Sequence, residues 1–292
     1  MAEDLVLTHL APDPEEEWQR TLRFTGLDQS DRNAMVQTVE ALMQRSAELV
    51  VNTYEYLRAV PETAAILGWE QDIDQAHLQE RRRFFSIWLS RTLGIDTSTE
   101  FANYLFQAGQ YHAGHGPRHI HTPPSYVTGS IGLILASFAH IMNESGLPAE
   151  IISSSMAGWS KYLTVQLNQM LFGYSIAQDF AWGDFSVHCA VFGRLRPAIG
   201  QSELLVPARS GAQVYNVLEK IFNYYPQARR MALDRIWQSE EKTNSLWTEI
   251  NPAYIPRKGW RVLLNGRDLG FDKGFQSPVN EKDEISIFPP GR

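Results

Sequence analysis

Apolar residues recur along the first part of this chain at spacings of three, four and seven. Val36, Val39, Met43, Val50, Tyr54 and Leu57 share one such face, which predicts a single long helix. Asp28 or Ser30 can cap its start, and Pro61 ends it, because the residue before a proline avoids the helical region. The same reading places a second helix near Ile73–Leu93, closed by Gly94, and a third near Ser98–Ala113, broken by Gly114, Gly116 and Pro117. A fourth, apolar and rich in small residues, covers about Pro124–Asn143, and a fifth about Ala149–Gln178. The fifth carries two apolar stripes. Ile152, Met156, Trp159, Leu163, Leu167 and Met170 form one; Tyr162, Val165, Phe172 and Ile176 form the other. A surface helix of a monomer needs one stripe, so two predict burial on two sides. Either a partner subunit covers the second side, making a homodimer, or the helix is central to a single core.

The period changes at Asp184. Ser186–Arg194 alternates as a strand does, and Ser202–Pro207 follows as a second strand after a turn at Pro197–Gly200. Gly211–Tyr225 is helical again, with Val214, Val217, Leu218, Ile221 and Phe222 on one face. Trp260–Leu264 and Glu284–Phe288 read as further strands, and Gln238–Thr243 as a loop or short insert. The expectation is a multidomain chain: a polar N-terminal arm over 1–20, an all-α domain over 21–180, and a small α+β domain over 185–292.

Composition narrows the function classes. The chain has 292 residues, of which 43% are hydrophobic and 20% charged, enough apolar content for an ordinary core. Its net charge of -7 argues against broad binding to nucleic acid or an anionic membrane, both of which want a positive surface. Cys189 is the one cysteine, so no intrachain disulfide or thiolate cluster forms. The acidic start lacks the apolar core of a leader, and no stretch is long and apolar enough to span a bilayer. The expected compartment is the cytoplasm.

The chemistry concentrates in QAGQYHAGHGPRHIHTPP, where His112, His115, His119 and His121 fall within ten positions at the end of the third helix. Three readings are open. A neutral imidazole can bind heme iron axially, given an apolar, aromatic pocket. Tyr54, Phe84, Phe85, Trp88, Phe101, Tyr104, Phe106 and Tyr126 supply aromatic rings in nearby helices. His112 and His115 could instead chelate zinc, although the loop offers no cysteine or paired acid. Or these are solvated loop histidines without a role.

Gly109, His112, Gly116, Pro123 and Tyr126 follow the proximal-histidine pattern of the globin-coupled sensors and protoglobins, and residues 22–178 resemble that family's globin domain. FTGLDQSDRNAMV resembles the start of its first long helix, VVNTYEYLRAVPETAAIL its second segment, and WSKYLTVQLNQMLFGY its last helix, which those sensors use to dimerise. The resemblance implies heme b bound by His112 as the axial iron ligand. It also implies Tyr54 as a distal tyrosine whose phenol can hydrogen-bond dioxygen, with Phe85, Trp88 and Tyr126 as pocket residues. Two departures stand out: the loop after His112 is longer and richer in histidine, and Thr53 replaces an aromatic before the tyrosine.

The segments SVHCAVFGRLRPAIG, VYNVLEKIFNYYP, VLLNGRDL and NEKDEISIFPPGR, with Asp283 before the last strand and Pro289–Pro290 after it, resemble the ubiquitin-like β-grasp proteins of the small molybdopterin synthase subunit (MoaD-like) and thiamine sulfur-carrier type. Such carriers end in Gly-Gly; this chain ends Pro290, Gly291, Arg292. That ending favours a docking or regulatory use of the β-grasp surface over sulfur carriage.

The combined expectation is a heme-based sensor of oxygen, another diatomic gas or redox state, regulating a β-grasp output that engages a molybdopterin-synthase or sulfur-transfer partner. Two alternatives stand beside it. One is a heme enzyme, such as a nitric oxide dioxygenase or a peroxidase-like catalyst, although no acid–base pair and no reductase domain is evident. The other is a heme-free dimerisation module carrying a sulfur carrier or adaptor.

Overall fold

The computed structural model describes residues 5–241, 248–271 and 273–289. Contacts divide the chain into a helical unit, Pro14–Ser175, and a second unit made of Met1–Asp13 and Ile176–Arg292. The leading residues therefore split. Residues 5–13 cluster with the C-terminal part, where Leu7 exchanges two 2.9 Å backbone hydrogen bonds with Tyr254. Residues from Pro14 onward are helical.

Eight helices start in the first unit: α1 (Pro14–Phe24), α2 (Gln29–Gln44), α3 (Ser46–Ala59), α4 (Pro61–Leu67), α5 (Gln75–Leu93), α6 (Thr99–His112), α7 (Pro124–Glu144) and α8 (Ala149–Ala181), whose residues from Ile176 onward belong to the second. Their starts follow local capping chemistry. Asp28 accepts from the Asp31 amide at 2.9 Å while Asp31 accepts from the Asp28 amide at 3.1 Å, a reciprocal box ahead of α2. Asp74 caps α5 and Ser98 caps α6.

The single helix expected across Asp28–Pro61 is broken at Arg45, and its face is different. Val36 and Met43 are 60% and 46% exposed, whereas Met35, Thr38 and Leu42 are buried. The break resets the helical phase, so a face drawn through both halves fits only one.

The core centres on Trp18, Phe101, Phe138, Trp159 and Tyr162, all fully buried. Trp159 Nε1 donates to Thr38 Oγ1 at 2.9 Å, and the Tyr162 hydroxyl donates to the Asp96 carbonyl at 2.6 Å, so both large rings are buried without orphaning a polar group. Trp159 and Leu163 of one α8 stripe, and Tyr162 and Val165 of the other, are covered within a single chain. The double stripe is that of a central helix and requires no second subunit. One expectation is corrected: α7 is long and apolar enough, by length and composition, to cross a membrane. Its Val127, Ile131, Ile134, Phe138, Ile141 and Met142 are spent on the core instead.

The second unit contains β1 (Phe185–Val191), α9 (Leu195–Ile199), β2 (Glu203–Ala208), α10 (Val214–Tyr224), α11 (Pro226–Ala232), β3 (Leu233–Glu241), β4 (Thr248–Pro256), β5 (Arg261–Leu264), β6 (Arg267–Asp268) and β7 (Glu284–Phe288). A mixed sheet has the order β2-β1-β7-β5-β6. β1 and β2 form an antiparallel hairpin, with Cys189 opposite Leu204. β7 returns parallel to β1, with Ile285 beside Cys189, and β5 flanks β7 antiparallel. The apolar face of α10 joins the same core as Val187, Val206 and Ile287. A hairpin, a covering helix and a parallel return strand make this a β-grasp fold.

β3 and β4 pair with each other as a separate hairpin. Gln238–Glu241, read from sequence as loop, are strand; residues 242 and 243 of that stretch lie outside the described residues, as do Pro290, Gly291 and Arg292.

Candidate functional site

Helices α3 to α7 of the helical unit, with Met170 of α8, line a cavity of about 430 Å³, within the roughly 300–1,000 Å³ of small-molecule sites. Tyr54, Phe85, Trp88, His112 and Tyr126, the five residues named from sequence, all line it. Helical spacing brings them there. Tyr54 faces inward from α3, Phe85 and Trp88 lie three apart on α5, His112 ends α6, and Tyr126 begins α7. Ile131, Ile134 and Met170 complete much of the apolar wall.

The histidine cluster is divided. His115, His119 and His121 do not line the cavity. His119 adopts a left-handed backbone (φ 51) in the loop, and His121 Nε2 lies 2.6 Å from the Tyr174 hydroxyl. Among the described residues no group of three or more His, Cys, Asp or Glu side chains is placed to hold a metal ion by itself, so the zinc reading gains no geometry.

His112 stands in a different environment. At the C-terminus of α6 the helix dipole favours a protonated imidazole. Burial, aided by the Arg81 guanidinium, opposes this and prevails, pushing its pKa down to about 4. The ring is therefore neutral near pH 7, and no side-chain hydrogen bond to it occurs among the described residues. Its backbone is fixed, since the His112 carbonyl accepts from the Thr122 amide at 2.7 Å.

Other parts of the wall are held by hydrogen bonds. The Tyr54 hydroxyl donates to the Arg81 carbonyl at 2.8 Å, and burial pushes its pKa up to about 12, which keeps the phenol a donor. Trp88 Nε1 donates to Gln166 Oε1 at 2.8 Å, with Thr92 sharing that acceptor, and Phe85 packs on the indole at 5.3 Å between centroids. Phe84 and Tyr104 also line the cavity, whereas Phe101 and Phe106 belong to the core.

A porphyrin wants an axial donor with a free lone pair, apolar walls and cations for its carboxylates. A neutral imidazole without a partner, facing a cavity walled by aromatic and aliphatic side chains, meets the first two demands. Arg81 and Arg118, which sequence reading passed over, line the cavity and bear on the third. Their signal was present: Arg81 lies four residues before Phe85 and seven before Trp88, on the same helical face.

The family model for protoglobins matches residues 14–179, more than half of the chain. The chain belongs to the protoglobin family. Membership implies heme binding in general terms. The solved globin domain of the Geobacter sulfurreducens globin-coupled sensor is similar at 17% identity, covering 53% of this protoglobin and 96% of that chain, with a TM-score of 0.44. Small archaeal modifier protein 1 from Methanosarcina acetivorans is similar at 24% identity, covering 36% of this chain and 93% of its own, with a TM-score of 0.27. No curated protein matches.

Proposed function

We propose that this protein is a heme-based sensor of dioxygen or another diatomic gas, with heme b held by His112 and the β-grasp unit as its output. The observation that carries the reading is the placement of the His112 imidazole, which has no side-chain hydrogen bond among the described residues and lines the same cavity as Tyr54, Phe85, Trp88 and Tyr126. Bound heme would supply an iron able to take a diatomic ligand and to change oxidation state.

The chain's own residues set the conditions. His112 contributes the axial lone pair. Phe85 and Trp88, the latter locked through Gln166, supply apolar wall to the cavity. Tyr54 offers one hydroxyl proton, and to donate it to a ligand must release the Arg81 carbonyl. α6 and α8 touch backbone to backbone at Gly109 and Gly173, so a shift of His112 is felt directly by α8. Allostery needs two arrangements that ligation biases, and this tight crossing is a physical candidate for the biased element.

On this reading the protein works in the cytoplasm, as a homodimer, and presents the β-grasp surface to a molybdopterin-synthase or sulfur-transfer partner. The test is spectroscopic. Hemin added to the purified chain should give a sharp Soret band that shifts on reduction and on carbon monoxide addition. His112→Ala should abolish it, whereas His115→Ala, His119→Ala and His121→Ala should keep it. A wild-type chain that leaves hemin free in solution ends the proposal.

A further inference from the structure

Two guanidinium groups line the cavity, and they differ in what neutralises them. Arg118 is matched, with Nε 2.7 Å from Glu80 and Nη1 3.5 Å from Asp74. Arg81 has no carboxylate within ion-pair distance among the described residues. The guanidinium's contact runs instead from Nε to His77 Nε2, at 3.0 Å.

That contact is contested. On the other side of the ring, Trp69 Nε1 stands 3.2 Å from His77 Nδ1. Indole and guanidinium N–H groups only donate, and a neutral imidazole has one acceptor nitrogen and one N–H. His77 can therefore accept from Trp69 or from Arg81, not from both; the other contact sets one N–H against another. Protonating His77 would remove its last acceptor, and burial together with the neighbouring guanidinium groups opposes that protonation.

Geometry decides which donor is displaced. Trp69 is 4% exposed and packs edge-on against both His77 and Tyr54, so its indole has nowhere to go. Arg81 carries its charge on a long flexible stem beside open volume. A part-buried cation with no anion and a contested acceptor is costly to keep, and an incoming carboxylate would remove that cost.

We propose that Arg81 binds a carboxylate of the ligand that fills this cavity; resting on the heme reading above, that carboxylate is a porphyrin propionate. Arg81 on α5 and His112 on α6 then anchor one ligand from two helices, by charge and by lone pair.

The experiment compares hemin with hemin dimethyl ester, in which both propionates are masked. Each is loaded on the full chain, and transfer to an excess of a hemin-scavenging apoprotein is timed for wild type, Arg81→Met and Arg81→Lys. Wild type should hold hemin about tenfold longer than the ester, the scale of a charge-assisted hydrogen bond. Arg81→Met should lose that advantage while holding the ester as wild type does, and Arg81→Lys should recover part of it. Equal acceleration of both pigments by Arg81→Met would make Arg81 a wall residue and overturn the assignment. So would unchanged transfer of both together with weakened azide binding to the ferric protein, which would point to a free anion as the partner. A wild type that takes up neither pigment overturns the heme reading and this assignment with it. A wild type that holds both pigments alike overturns this assignment alone.

Discussion

Tyr54 and Arg81 are joined hydroxyl to carbonyl at 2.8 Å, so the phenol's single proton is already committed within the protein. A distal tyrosine with a free hydroxyl would give a bound gas its full hydrogen bond. On the heme reading the gain would be a difference: one bond to a partly charged oxygen would replace one to a backbone carbonyl. Bonds to charged acceptors are worth about 1.5–3 kcal/mol and neutral ones about 0.5–1.5 kcal/mol, leaving about 1 kcal/mol. Tyr54→Phe should therefore raise the dioxygen dissociation rate of the ferrous protein only about fivefold, as stopped-flow mixing would measure. An increase of a hundredfold or more would mean that the hydroxyl leaves Arg81 at no cost.

Lys220 closes a helix end in the β-grasp unit. Its ammonium donates to the carbonyls of Phe180, Trp182 and Pro207, so it satisfies a late carbonyl of α8 and places a cation at the negative end of that helix. Lys220→Met keeps the stem and removes the charge. It should cost about 2 kcal/mol, read as a lower urea midpoint for the C-terminal unit. An unchanged midpoint would show that water serves those carbonyls equally well.

Asp28, Ser98, Gly94 and Pro124 mark helix boundaries in the sequence because capping and chain breaking act over a few residues, and the structure keeps those boundaries. The inward face of α2 was not legible, because the phase change at Arg45 depends on tertiary packing. The β3–β4 hairpin escaped because its strands alternate polar residues with Trp237 and Ile250, both more than 60% exposed. Its buried residues, Leu233, Ala253 and Tyr254, do not recur at every second position, so the period that marks a strand is missing. In the cavity, aromatic spacing drew attention to Phe85 and Trp88. Arg81 went unread because a charged residue in a helical pattern looks like solvent-facing surface until volume is found beside it.

Cys189 sits in the middle of β1, fully buried, and burial pushes its thiol up to about 12 from an ordinary value near 9. Above pH 9 the unfolded chain loses this proton while the folded chain keeps it. The unfolded state then binds fewer protons, so stability falls as pH rises from 9 toward 12. Between pH 8 and 10 this should amount to about 1 kcal/mol. Cys189→Ala should flatten that part of the profile, whatever it costs at pH 8. Thiol reagents at pH 8 should label the wild type no faster than the C-terminal unit unfolds. Fast labelling of the native protein, or an unaltered alkaline slope in the variant, would contradict the buried placement.

The crossing of α6 and α8 gives the sharpest mutational contrast. A Cβ on Gly109 would stand 1.9 Å from the Met170 carbonyl oxygen, and one on Gly173 would stand 1.9 Å from that of Phe106. Both obstacles are helix backbone, which cannot rotate away as a side chain can, so the helices must separate. Overpacking of this kind costs about 3 kcal/mol or more, on the order of 10 °C in Tm for a domain of this size. Gly109 is three residues before His112, so separation also moves the His112 end of α6 relative to the rest of the cavity wall. Gly109→Ala and Gly173→Ala should both lower Tm and speed hemin loss. Gly129 on α7 is the control: a Cβ there meets nothing within 4 Å, and alanine should leave stability unchanged or raise it by about 0.5–1 kcal/mol through helix propensity. If Gly173→Ala behaves like Gly129→Ala, the two helices have room between them, and a shift at His112 has no direct mechanical path to α8.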